Sequence, residues 1–295
     1  MNTNKLNEAE LRALISLIDE EDKEIFNHVH NKIIEEGYSA LPILNEALLL
    51  SKDIIAKERI DDLLEQIKYN YLLYEITNWK NTESKDLINA CIILARYAYP
   101  EISDEDVRIR IDEILRKIKA ELKTSEPTRI ETIKILNKVI LSDFQFKGNI
   151  KNYSGLNNSF INKVVEDKVG NPIMLCIIYL IAAKEFNIPL IGINSPGHFV
   201  LAYINPLLDV KSAEKKELMS NVLFYISPFY EGAVIQPSDF DKLLRSFNFS
   251  ENDRLTLPAD NADIIKRVLN NIIYAVDQAG EHEKAKHLLE ILERI

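Results

Sequence analysis

Residues 193–203 read INSPGHFVLAY, and His198 alone among the five histidines sits between a Pro-Gly turn and an apolar run of strand character. That setting places an imidazole at the lip of a sheet, where it can take a proton, face a ligand or tie two segments together. The two thiols lie in different surroundings. Cys176 is flanked by Leu175, Ile177 and Ile178, and Cys91 by Ile92, Leu94 and Ala95, so both read as small residues of helical cores. His282-Glu283 followed by His287 superficially resembles a zinc-protease helix, but five residues turn a helix by about 140 degrees away from its starting face. His28 and His30 are two apart on a helix and diverge. No Gly-rich phosphate loop and no G-x-G-x-x-G after a strand is present. No metal and no cofactor is expected.

The surrounding composition narrows the function classes. The chain has 295 residues, 46% of them hydrophobic, with 8 Gly and 10 Pro, which suits compact helix-rich folding. A net charge of -10 without a dense basic stripe opposes contact with phosphate backbones, so nucleic acid is not an expected partner. The longest strongly apolar run, PIMLCIIYLIAA, falls short of the roughly 20 residues that cross a bilayer, so no membrane partner is expected either. The start shows no basic region leading into an apolar core, which reads as no signal peptide. Two cysteines make no disulfide framework, and a reducing cytoplasm is the expected location.

The elements that must position His198 fall into three blocks. Residues 1–80 read as short amphipathic helices joined by polar turns: Leu11, Leu14, Ile15 and Ile18 share a face, Asp19-Glu20-Glu21-Asp22 supplies cap chemistry for the next helix, and Gly37 closes it. The stretch from Leu14 to Leu48 resembles a HEAT-type helical repeat. Residues 81–250 begin with a helical part, 81–125, in which a buried helix runs to Tyr99, Pro100 breaks it, and Ser103 or Asp104 caps the next helix. TSEPTR marks a junction, and a core over 129–250 follows. There a helix opens at Asn171-Pro172, and LIGINSPGHFVLAYI and NVLFYISPFYEGAVI read as two strands of a small antiparallel sheet. Residues 258–295 read as a helical hairpin with a Gly280 turn, resembling one tetratricopeptide-type unit. The fold class is therefore α+β and predominantly helical.

Several motifs in the last two blocks resemble the SirB1 proteins: Phe146-Lys147-Gly148-Asn149, Asn158-Ser159, Gly170-Asn171-Pro172-Ile173 and Pro196-Gly197-His198-Phe199, with ARYAYPEIS and IKRVLNNI in support. The resemblance covers about residues 85–295. It implies a transglutaminase-like, papain-type core with a tetratricopeptide-like C-terminus, to which the HEAT-like start is an extension. Such domains place a Cys at the start of a buried helix, a His on a following strand and an Asp or Asn on the next. The helix N-terminus lowers the thiol pKa, the imidazole takes the proton, and the carboxylate holds the imidazole.

By that resemblance His198 takes the family histidine's place, whereas the other two positions are occupied by residues without the needed chemistry. Counting back along the helix from Asn187-Ile188-Pro189 puts Pro172 at the nucleophile's position. Cys176 follows one turn later, displaced by roughly 6 Å along the axis, about twice a hydrogen-bond length. The family's Ile-Asp-Pro-Phe strand becomes Ile226-Ser227-Pro228-Phe229. Ser227 can accept a hydrogen bond from His198 but cannot balance an imidazolium by charge. Asp209, in a charged loop, is the alternative third member.

Three functions compete. The leading one is a noncatalytic, regulatory or interaction protein with an unknown protein partner, consistent with the bacterial regulatory association of the SirB1 name. A cysteine-dependent hydrolase or acyl transferase using Cys176, His198 and Asp209 or Ser227 is the second. A small-ligand pocket beneath His198, lined by Tyr225, Phe229 and Tyr230, is the third.

Overall fold

A computed structural model of the chain describes residues 5–123, 126–195, 197–210, 212–246 and 257–295. Pro196 of the Pro-Gly turn, Thr124 and Ser125 of the junction, and most of the loop before Leu257 lie outside the described residues. The chain divides into two compact units, Met1–Asn78 with Arg96–Pro100, and Trp79–Ala95 with Glu101–Ile295.

The first unit is built on α1 (Glu8–Ile15), α2 (Lys23–Glu36), α3 (Leu41–Leu50) and most of α4 (Ile54–Asn81). The starts of α1, α2 and α4 each have a side-chain cap that satisfies otherwise orphaned N–H groups, whereas α3 follows Ala40 without one. Asn7 and Glu10 form a reciprocal capping box on α1, Asp22 accepts from Glu24 and Ile25 at the start of α2, and Asp53 accepts from Ala56 at the start of α4. Gly37, at φ 61°, ends α2 in a conformation that favours glycine. Leu11, Ile15, Val29, Ile33, Leu41, Leu44, Ile60 and Leu63 form the core. Tyr38 donates to the carbonyls of Arg96 and Pro100, which ties that short segment to this unit. The run from Ile54 is one 28-residue helix. The expectation of short helices there fails because no Gly or Pro interrupts a run of strong helix formers.

The second unit contains α5 (Leu87–Ala98, whose last residues belong to the first unit), α6 (Asp104–Leu122), α7 (Arg129–Asn137), α8 (Ile161–Asp167) and α9 (Pro172–Glu185). Ser103 is the cap of α6, accepting from Asp106. A π-helical segment, Lys138–Asp143, continues α7. Two short strands, β1 (Lys147–Gly148) and β2 (Val169–Gly170), pair in parallel. The main sheet holds β3 (Leu190–Asn194), β4 (Phe199–Ile204), β5 (Val222–Ser227), β6 (Ala233–Ile235) and β7 (Leu257–Ala259), all antiparallel in the order β6-β5-β4-β3-β7.

The sheet is thus five-stranded, where the sequence suggests two strands. Each apolar run folds back on itself: Leu190 pairs with Tyr203 and Asn194 with Phe199 across the first, and Tyr225 pairs with Ile235 across the second. The turns that split them, at Ser195–His198 and Pro228–Gly232, are short enough to be lost in continuous apolar stretches. Helix α9 is buried nearly all round, and it packs on β3 and β4 as well as on α6. Val200, Ala202 and Ile204 belong instead to a cluster with Tyr225 and Phe240, the latter from α11 (Pro237–Ser246). Between β4 and β5 lies α10 (Lys215–Ser220). The chain closes with α12 (Asn261–Gln278) and α13 (His282–Leu292), turned at Gly280 with φ 86°.

Candidate functional site

The first turn of α9 is held by amides rather than by a reactive group. Asn171 caps the helix by accepting from the Met174 N–H at 3.0 Å, and its own NH2 donates to Ser159 Oγ at 2.9 Å. Asn158 accepts from Asn149 at 2.9 Å and donates to the carbonyls of Asn152 and Tyr153. Pro172 follows as the first helical residue, where its missing N–H costs nothing. Asn149, Asn158, Ser159 and Asn171 therefore form one buried or half-buried network that fixes where α9 begins.

Cys176 lies one turn further in and is fully buried. Its sulfur donates to the Phe199 carbonyl of β4 at 3.6 Å. Burial pushes its thiol pKa well above the ordinary range, the reverse of what a nucleophilic thiolate needs. The Cys91 thiol is likewise pushed up to about 12 by burial. Both cysteines are free.

His198 sits just before β4, in a turn closed by the Ser195 N–H donating to the His198 carbonyl at 3.2 Å. Its Nε2 is 3.3 Å from the Tyr230 hydroxyl, and the two rings meet edge to face with centroids 5.4 Å apart. Burial lowers its pKa from the ordinary value of 6.5, against a smaller opposing contribution from the Gly197 backbone. Tyr153 donates to the Gly197 carbonyl at 3.2 Å and packs edge to face on Phe229. The turn holding His198 is thereby pinned from two sides. Among the described residues no hydrogen bond joins His198 to Cys176 or to Ser227.

Ser227 ends β5, buried, with its carbonyl accepting from Gly232. The tie to His198 comes from Tyr230, three residues later, because Pro228–Tyr230 turn through a short 3-10 helix that brings the ring back toward the sheet edge. Asp209 is at the other end of the strand. It accepts from Ser212 Oγ at 2.9 Å and lines a cavity of about 570 Å³ with Asn187, Pro189 and Leu190. Leu190 pairs with Tyr203 near the end of β4, whereas His198 precedes its beginning. Six strand residues, about 20 Å, separate the two. The geometry therefore does not supply His198 with a carboxylate from Asp209.

The three aromatics expected to line one pocket have different neighbours. Tyr225 stacks on Phe240 at 4.0 Å on the α11 side of the sheet, and burial raises its hydroxyl pKa to about 12. Phe229 packs beside Gly148 and borders a cavity of about 590 Å³ with Asn137 and Lys147. Tyr230 is half exposed beside His198. Among the described residues no cluster of three His, Cys, Asp or Glu could hold a metal ion, and no helix is long and apolar enough to cross a membrane. His282 pairs with Asp277 at 2.8 Å.

Sequence reasoning missed Tyr153 and Asn137. Asn137 accepts from the Tyr179 hydroxyl at 2.8 Å and donates to the Gly232 carbonyl at 3.0 Å, joining α7, α9 and the turn after β5. Neither residue lies in a pattern that signals such contacts, since both partners are distant in sequence.

Comparison with known proteins places this geometry in context. The family model described as the transglutaminase-like superfamily matches residues 105–270, more than half of the chain. A UPF0162 protein of Xylella fastidiosa (strain 9a5c) is 23% identical over 65% of this chain and 66% of its own length. F-box only protein 21 of Homo sapiens is 22% identical over 70% of this chain, and the match spans only 34% of that protein. No solved structure matches.

Proposed function

This chain belongs to the transglutaminase-like superfamily, and on that premise we propose that it is a noncatalytic recognition protein, in which the family's core serves as a scaffold. The observation carrying this reading is the burial of Cys176, whose sulfur is spent on the Phe199 carbonyl and whose pKa is raised. A thiol in that state is not poised to hand its proton to an imidazole. Pro172 at the helix start, and Tyr230 in place of a carboxylate beside His198, point the same way. The chain shares its motifs with the SirB1 proteins, and its partner is a protein. The match to one stretch of a longer human protein supports use of this core as one part of larger assemblies. Two free thiols suit a reducing, cytoplasmic setting.

Iodoacetamide labelling of the folded protein at neutral pH tests the reading. The expected result is modification of Cys176 only after denaturation. Rapid modification in the native state, with a depressed apparent pKa and loss of an ester-hydrolysing activity on Cys176→Ala, would overturn it in favour of a cysteine-dependent hydrolase.

A further inference from the structure

The first unit carries an apolar groove with an acidic turn, Asp19–Asp22, at one end. The groove, of about 360 Å³, runs between α1, α3 and the start of α4, and Ile15, Ile18, Ile43, Ala47, Leu50 and Ile60 line it. Large aliphatics flank the α3–α4 turn in full contact with solvent: Leu49 is 85% exposed, Leu50 71%, Ile54 74% and Ile55 55%. The turn itself is well built, since the Ser51 N–H donates to Ala47 and Asp53 caps α4. These four side chains are displayed by ordered backbone. Contiguous apolar surface of this kind marks a contact site for another molecule.

Charge identifies the occupant. The first unit holds -7 of the chain's net -10. Two cations near the groove are already engaged: Arg12 pairs with Glu8 and Glu46, while Arg59 donates to the carbonyls of Ile18 and Glu20 and lies over the Phe26 ring at 4.2 Å; Lys52, on the α3–α4 side of the groove, has no ion pair among the described residues. Arg59 thus fixes the turn Asp19–Asp22 through its backbone and leaves its side chains unneutralised. Among the described residues none of those four carboxylates has an ion pair.

We propose that this groove docks a cationic amphipathic helix of a partner protein, its apolar face on Leu50, Ile54 and the groove floor and its basic residues toward Asp19–Asp22. The proposal rests on the interaction reading above and names the partner's chemistry. A helix laid in an apolar groove is a recurring mode of recognition, and the acidic turn sets its orientation and on-rate. The same turn repels an anionic lipid surface.

The test uses the full chain and a fluorescent peptide of roughly 18 residues, leucine and lysine at amphipathic helical spacing, with a glutamate-for-lysine counterpart. The lysine peptide is expected to bind, the glutamate peptide not, and binding should weaken with added salt. Leu50→Glu with Ile54→Glu should reduce affinity at least about tenfold, the equivalent of about 1.4 kcal/mol. Glutamates added there would strengthen a purely electrostatic attraction, so a loss identifies apolar contact. Asp19→Asn with Glu20→Gln and Glu21→Gln should weaken binding and flatten its salt dependence. All these side chains are exposed or in a solvent-facing turn, and circular dichroism verifies that each variant is folded.

Absence of binding, equal binding of both peptides, or indifference to the Leu50 and Ile54 changes overturns the proposal. So does a concentration-dependent dimer in sedimentation that the same changes abolish, since the occupant is then a second copy. Cys176 labelling separates the two levels: an inert thiol with no peptide binding removes the groove alone, and a reactive thiol removes the noncatalytic reading alone.

Discussion

His198 is held by an aromatic hydroxyl and an edge-to-face ring rather than by a carboxylate, and its titration is governed by burial. Because burial lowers its folded pKa from 6.5, the unfolded chain protonates first as pH falls. Its contribution to stability is therefore complete above 6.5 and is lost as pH drops through the lower folded value. Urea denaturation of the wild type and of His198→Gln, on either side of 6.5, is expected to show this as a difference: the wild type loses stability relative to the variant on acidification. Parallel pH profiles for the two proteins would remove the claim. At this scale the sequence is informative where chemistry is local and silent where it depends on chain reversal. Pro172 after Asn171 reads as a helix start and is one, because cap and proline act on their own turn. Tyr230 as the partner of His198 requires the 3-10 turn after Ser227, which no spacing rule reveals.

The elements around the site are fixed by a few contacts that tolerate little change. Asn171→Ala removes the cap of α9 and leaves Ser159 Oγ without its donor, at a cost of about 1–2 kcal/mol for the cap. A lowered urea midpoint at unchanged m-value is the expected readout. Gly148 is more demanding. A Cβ there would lie 2.6 Å from the Phe229 ring and 2.8 Å from the Phe229 carbonyl oxygen, and backbone cannot step aside as a flexible side chain does. Gly148→Ala should therefore destabilise by about 1–3 kcal/mol, measured in the same way, and disturb the neighbouring Tyr230–His198 contact. Helices were legible because caps and 3.6-residue periodicity are local, as with Ser103 for α6 and Asp22 for α2. The π-helical turn Lys138–Asp143 was not, since its wider hydrogen bonds, such as Phe144 N–H to the Val139 carbonyl, arise from packing and not from residue type. The strand β7, three residues paired to β3, is too short to show a period.

Over the whole chain, the C-terminal hairpin reads as a separate block in sequence and is an integral part of the second unit. Helix α12 packs on α9, β3 and β7, and Ile264, Ile265, Val268, Leu269 and Ile272 are each at most 1% exposed. Burying five such side chains contributes about 8–15 kcal/mol at roughly 1.5–3 kcal/mol each. A folded domain's entire net stability is about 5–15 kcal/mol. Removing residues 260–295 would also bare the apolar surfaces of α9 and β3 that α12 covers. The truncated chain is therefore expected to lose cooperative thermal unfolding in its transglutaminase-like core, to bind hydrophobic dyes and to aggregate, while an otherwise intact chain carrying Tyr274→Ala, at a half-exposed position of the same helix, should melt within about 0.5 kcal/mol of the wild type. A soluble truncated protein with a sharp transition at the wild-type temperature would show instead that the hairpin is an appendage, and that the core closes without it.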